Sequence, residues 1–354
     1  MRYRLVFLTA AILALPHLYA EDQAAPKPII MEGLPDPLQA KRDLWIQSSA
    51  NSGIAPRYFI KKVNQWIPGQ VIRVAFSGGN AALRQDIAAT ASQWTAFGNI
   101  KFDFGPPGQF YEWTNQDQSY SAEIRVAFVH GGQYGGYWSL IGTDSIQPAL
   151  SKPNEASLNL DGFDVSRPSD WSGVVLHEFG HALGFMHEHQ SPAGGCDAEF
   201  NWYGDPLYDI TADMYGQLKT DANDRSPGVY RFLAGPLNGW PTAKTDFNMR
   251  SLPNSTAYDM GAFDSHSIMM YSFDQSFFTN GTHSKCYTAE NLTLSPGDQA
   301  GVALLYPKDQ AKADALKRET NSAFQTLSES PMLSNTVKKQ LKDLQIEMQA
   351  IPIH

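Results

Sequence analysis

The chain has 354 residues, 42% hydrophobic and 18% charged, and its 36 acidic and 27 basic residues leave a formal net charge of −9. That length and apolar content exclude a disordered chain and allow one large domain or two ordinary ones. The acidic balance speaks against a nucleic-acid partner, and no apolar run is long enough for stable membrane insertion.

Residues 1–20 read as a secretory signal peptide. Arg2 and Arg4 make a basic start, Leu5 to Leu15 an apolar core, and Ala20 a small residue at the expected cut. A retained N-terminal anchor is the alternative. No cysteine follows the run, so a lipid-anchored start is not expected. Residues 21–56 carry Pro26, Pro28, Pro35 and Pro37 and read as an extended leader or pro-segment.

Strand spacing begins at Val71 to Phe76, where Ile72, Val74 and Phe76 alternate with Arg73 and Ala75. Asn80 then caps a helix with Leu83, Ile87, Ala91 and Trp94 on one face, closed by Gly98. Ile100 to Phe104 and Ile124 to Phe128 alternate as strands. The glycine-rich stretch Gly131 to Ser145 is either a plain hairpin loop or an exposed edge strand on which an extended peptide can pair. Leu158 to Leu160 is a short strand, and a helix starts near Ser169 to Ser172.

That helix carries His177-Glu178-Phe179-Gly180-His181-Ala182-Leu183-Gly184-Phe185-Met186-His187. His177 and His181 are four apart, so they share one helix face and aim at one point. Glu178 lies about 100° further round, placed to touch a water there without becoming a ligand. Gly184 permits the positive-φ turn that ends a helix, and His187 then supplies a third imidazole. Three imidazoles with one open position are the composition of a catalytic Zn2+ site, one ion per chain.

Beyond His187 regular periodicity is scarce until about residue 265. Ser295-Pro296-Gly297-Asp298 has the form of a capped helix start, and Pro307 ends that helix. From residue 308 the chain is charged and amphipathic, and Pro331 divides it into two helices. The only cysteines are Cys196 and Cys286, which in an exported chain suggest one disulfide; two buried thiols are the alternative.

These residues resemble the metzincin clan of zinc endopeptidases, and within it the astacin family. The likeness rests on the long histidine motif, on the order of an α/β half before an irregular half, and on Ser267-Ile268-Met269-Met270-Tyr271, which is similar to the Met-turn. His187-Glu188-His189 looks like the astacin H-E-H stretch. The resemblance covers about 57–307 and implies an α+β, metzincin-like fold: a mixed twisted sheet with helices above, an irregular lower subdomain, and a C-terminal helical extension. The domains implied are signal peptide 1–20, leader 21–56, astacin-like protease 57–307 and helical appendage 308–354.

The resemblance also assigns roles. His177, His181 and His187 bind zinc, Glu178 is general base and then proton donor, and Tyr271 is a resting zinc ligand that helps hold the oxyanion. Met269 forms the hydrophobic floor, and Glu188 contacts the N terminus of the mature enzyme. There are departures. One disulfide replaces the usual two, Met270 stands where the family has His, and the leader lacks F-x-G-D. Without a cysteine before Cys196 a cysteine switch is excluded; Asp36 or Glu32 could approach the zinc in a precursor, but neither is expected to, and the latency mechanism is not legible. His189 is expected at the surface more than on substrate. The expected function is a secreted, or periplasmic, zinc-dependent endopeptidase acting on protein or peptide substrates through a water activated by Glu178. The alternative is a zinc-binding adhesion module without significant proteolysis. Cleavage preference, oligomeric state and the task of the C-terminal helices are not legible.

Overall fold

The fold comes from a computed structural model that describes residues 32–50, 64–252, 261–329, 331 and 335–350. The expected signal peptide 1–20, the expected leader residues 21–31 and 51–56, and residues 57–63 at the start of the expected protease domain lie outside the described residues.

The upper half is a six-stranded sheet built from β1 (Val71–Phe76), β2 (Lys101–Asp103), β3 (Tyr111–Glu112), β4 (Ile124–Ala127), β5 (Trp138–Ser139) and β6 (Leu158–Asn159). The order is β2-β1-β4-β6-β5, with β3 pairing β1. Every pairing is parallel except β5 with β6, so β5 is an antiparallel strand at the end of that order. That is the edge-strand alternative for the glycine-rich stretch. Burial explains the apolar alternation: Ile72, Val74 and Phe76 are fully buried, while Val71 and Arg73 face outward.

Two helices cover the sheet. The first described helix, α1 (Asp36–Ala50), precedes the sheet; α2 (Ala81–Ala91) and α3 (Trp171–Ala182) pack against one another over the core. Asn80 caps α2 as expected, its side chain accepting from the Leu83 N–H at 2.9 Å. The helix stops at Ala91, short of Gly98, and a tight turn over Trp94–Ala96 completes the segment. Trp94 is fully buried, with its indole N–H on the Leu176 carbonyl of α3 at 2.8 Å.

The lower half holds α4 (Val229–Leu233) and α5 (Thr242–Met249), two short helices inside a region that reads as loop. Its core is aromatic: Phe200, Trp202, Phe232, Phe273, Phe277 and Phe278 pack around Cys196 and Cys286. These cysteines form the expected disulfide across a separation of 90 residues. Replacing both with Ser is expected to lower unfolding stability by about 2–5 kcal/mol; an unchanged urea midpoint would contradict that.

α6 (Pro296–Leu305) begins with the anticipated capping box, Ser295 accepting from the Asp298 N–H and Asp298 from the Ser295 N–H. The tail forms α7 (Gln310–Glu329) and α8 (Asn335–Ala350), packed together as a pair. Among the described residues no helix is long and apolar enough to cross a membrane.

Candidate metal centre

α3 is held at its C-terminal end by groups far away in sequence. The last carbonyls of a helix have no partner within it. Here the Trp66 indole N–H donates to the Ala182 carbonyl at 2.7 Å, and the Tyr306 hydroxyl donates to the Leu183 carbonyl. Gly184 has φ +100°, and the N–H groups of Gly184 and Phe185 return to the carbonyls of His181 and Gly180. This left-handed cap swings the chain so that His187 faces back toward the helix.

The three imidazoles meet. The His177 Nδ1 is 2.6 Å from the Ile268 carbonyl and the His181 Nδ1 is 2.8 Å from the Phe185 carbonyl. An N–H donating outward at Nδ1 assigns the tautomer and turns each Nε2 lone pair inward. The Nε2 atoms of His181 and His187 approach to 3.0 Å. A proton or a cation must lie between two ring nitrogens this close, and three imidazoles converging in this way are a donor set that suits a divalent metal.

A fourth donor comes from the stretch just before α1. Glu32 Oε2 is 2.9 Å from His177 Nε2, and Oε1 is 3.1 Å from His181 Nε2 and 3.4 Å from His187 Nε2. All four ligand atoms lie within 4.8 Å of one another. The His177 contact is close but not aligned as a hydrogen bond, leaving that buried Nε2 without a proper partner. Burial pushes the Glu32 carboxyl up; the His177 charge and the imidazole contacts outweigh it and hold the group well below the usual carboxylate range. Asp36, the first residue of α1, instead pairs with Lys244 at 2.7 Å.

Glu178 is 1% exposed, and its Oε2 is buried without a hydrogen-bond partner. Burial, and then the Glu32 charge, push its carboxyl well above its ordinary value. Tyr271 lies over His187, ring centroids 4.2 Å apart, and its hydroxyl donates to the backbone carbonyl of Glu32 at 3.0 Å. Met269 lies beneath: a Cβ on Gly180 would fall 2.4 Å from its sulfur, so only glycine permits this approach. Glu188 accepts from the Asp264 N–H at 3.0 Å, and burial raises its carboxyl to about 7.

His189 departs from expectation. It is fully buried, stacks on Tyr271 at 4.9 Å and His187 at 5.3 Å, and its Nε2 lies 2.9 Å from the Asn248 carbonyl. The lower-half aromatic core extends up to this ring, which is why it is not at the surface. Asp298 has a role that the capping motif did not reveal. It accepts from the Ser267 hydroxyl at 2.6 Å and the Ile268 N–H at 2.9 Å, tying the turn that carries Met269 and Tyr271 to α6.

Solved structures resemble the chain. A structure of myroilysin matches at 30% identity, covering 70% of this chain and 97% of that one, with a TM-score of 0.50. A second myroilysin crystal structure matches at 29% identity, covering 69% of this chain and 86% of that one, with a TM-score of 0.42. High choriolytic enzyme 1, a hatching enzyme zinc-protease from Oryzias latipes, matches at 14% identity, covering 69% and 94%, with a TM-score of 0.38. No protein-family model and no curated protein matches the chain.

Proposed function

Because the chain belongs to the astacin-like metzincin zinc endopeptidases, we propose that His177, His181 and His187 hold its one Zn2+ and that Glu178 moves the proton during hydrolysis of protein or peptide substrates. The observation that carries this reading is the convergence of three Nε2 atoms beside a buried carboxyl without a hydrogen-bond partner. When bound, the ion acidifies water and polarises a carbonyl. Glu178 takes a proton from the attacking water and delivers it to the leaving amine. Tyr271 donates a hydrogen bond to the oxyanion that forms on the substrate carbonyl; its present bond supports this, since the phenol already donates to a peptide oxygen beside the imidazoles. Met269 is the floor beneath the imidazoles, and Asp298 keeps it and Tyr271 in register.

The leader, residues 21–56, keeps the enzyme latent. Glu32 occupies the metal-binding atoms, while Leu34 and Leu38 bury against Trp138 and Leu140 at the edge strand. Lys41 pairs with Glu155 at 2.9 Å and fixes α1 against the upper half. A substrate chain and the leader therefore compete for one cleft. Residues 57–307 form the protease and 308–354 the helical appendage, and export directed by residues 1–20 delivers the protein outside the cell or to the periplasm. Glu188 receives the new N terminus after processing; the burial that raises its carboxyl supports a cationic partner there.

An adhesion module would have no use for Glu178. The folded chain, freed of its leader by limited proteolysis, is expected to cleave casein, to stop on chelation and to recover with zinc. Intact casein, or cleavage indifferent to chelator, would overturn this function.

A further inference from the structure

The leader also places a cation beside the metal centre. Arg42, on α1, is 7% exposed and shares a hollow with His181, Met186, His187, Gln190 and Phe247. Its guanidinium carbon lies 5.1 Å from the centre of the Phe247 ring, and its Nε has no hydrogen-bond partner. Cation–π attraction of this kind gains strength as water is excluded. Trp138, Ser139 and Ile141 of the edge-strand segment form the opposite wall. Nearby, the Asp144 carboxyl is 5% exposed and accepts from the Asn64 amide at 3.1 Å. Burial pushes that carboxyl up to about 6, and the Arg42 charge acts against the rise. Lys244, three residues before Phe247, is engaged by Asp36 and by the Trp240 ring.

Resting on the endopeptidase reading, we infer that this hollow is a substrate subsite for a basic side chain, Arg above Lys, with Phe247 as its aromatic wall, Asp144 as the anion behind it, and Arg42 of the leader as its internal occupant. The hollow includes two of the three metal-binding imidazoles, so its occupant is a residue flanking the scissile bond. An arginine suits it better than a lysine, because a planar guanidinium stacks on an aromatic face and sheds water at lower cost than a compact ammonium. The Asn64 amide and a guanidinium in the hollow both favour the ionised form of Asp144 against its burial.

The test uses the full chain, activated by limited proteolysis after folding. Quenched peptides carry Arg, Lys, Met or Glu at each position flanking the cut. Arg is expected to exceed Met by about tenfold in kcat/KM at one flanking position, with Glu cleaved least. Phe247→Leu and Asp144→Asn are each expected to lower the Arg-to-Met ratio several-fold. Calorimetric titration with N-acetyl-arginine amide supplies a readout independent of turnover: it binds the activated protein more tightly than N-acetyl-methionine amide, and Phe247→Leu removes the difference. No basic preference at either flanking position, or a preference that both substitutions leave intact, overturns the subsite. Selective binding of the arginine amide by a protein that cleaves no peptide would support the subsite and count against the endopeptidase reading instead.

Discussion

Glu178→Gln in the activated enzyme is expected to keep the metal and lose about 10²–10⁴-fold in kcat/KM, the usual worth of one general acid–base group. Gln has the same shape and hydrogen-bonds well, yet it cannot accept the proton that the attacking water must shed. Metal retention follows from the proposed ligand set, since His177, His181 and His187 are untouched and two of them are oriented by the carbonyls of Ile268 and Phe185. Glu178 itself makes no hydrogen bond through its buried Oε2, so the substitution breaks no structural contact at that atom. Near-normal turnover in a zinc-loaded Glu178→Gln variant would remove Glu178 from the mechanism. Equal loss of zinc and of activity would make it a ligand and not a base.

Glu32→Ala in the full-length chain is the second large effect. The Glu32 carboxylate contacts all three imidazoles at 2.9–3.4 Å, and its carbonyl accepts from Tyr271. Hydrogen bonds to charged groups contribute about 1.5–3 kcal/mol each. Losing one such net contribution raises the open fraction by roughly 10- to 100-fold. The variant should therefore cleave a peptide before processing, at a rate that far exceeds the unprocessed wild-type chain. Asp36→Ala should change little by comparison, because Asp36 pairs with Lys244 at an exposed site. Equal silence of the two unprocessed variants would dismiss Glu32 as the latency group.

The parts of the molecule that were legible in the sequence are those governed by local rules. The four-residue spacing of His177 and His181, the left-handed turn at Gly184, the Asn80 cap and the Ser295–Asp298 capping box each depend on residues a few positions apart, and each is found where expected. The parts that were not legible depend on contacts between distant residues. Trp66 and Tyr306 cap the metal helix from 116 and 123 residues away, which no periodicity records. His189 reads as a surface residue from its neighbours, and only the aromatic packing of the lower half buries it. The leader reads as extended from its prolines. Pro37 nevertheless sits in the first turn of α1, where its missing N–H costs nothing, so the segment continues as a helix. The choice of Glu32 over Asp36 is set by the point at which that helix begins: Asp36 is its first residue and turns outward to Lys244, while Glu32 lies in the extended stretch that crosses the site.

The central claim is that three imidazoles bind one zinc ion. Its most direct test is metal analysis of the purified full-length protein after dialysis, beside the His181→Ala variant and a Glu32→Ala variant. The wild-type and Glu32→Ala proteins should each hold one zinc per chain, and the His181→Ala protein should hold far less than one. A folded wild-type protein that takes up no zinc, or a His181→Ala protein that holds it as firmly, would contradict the account.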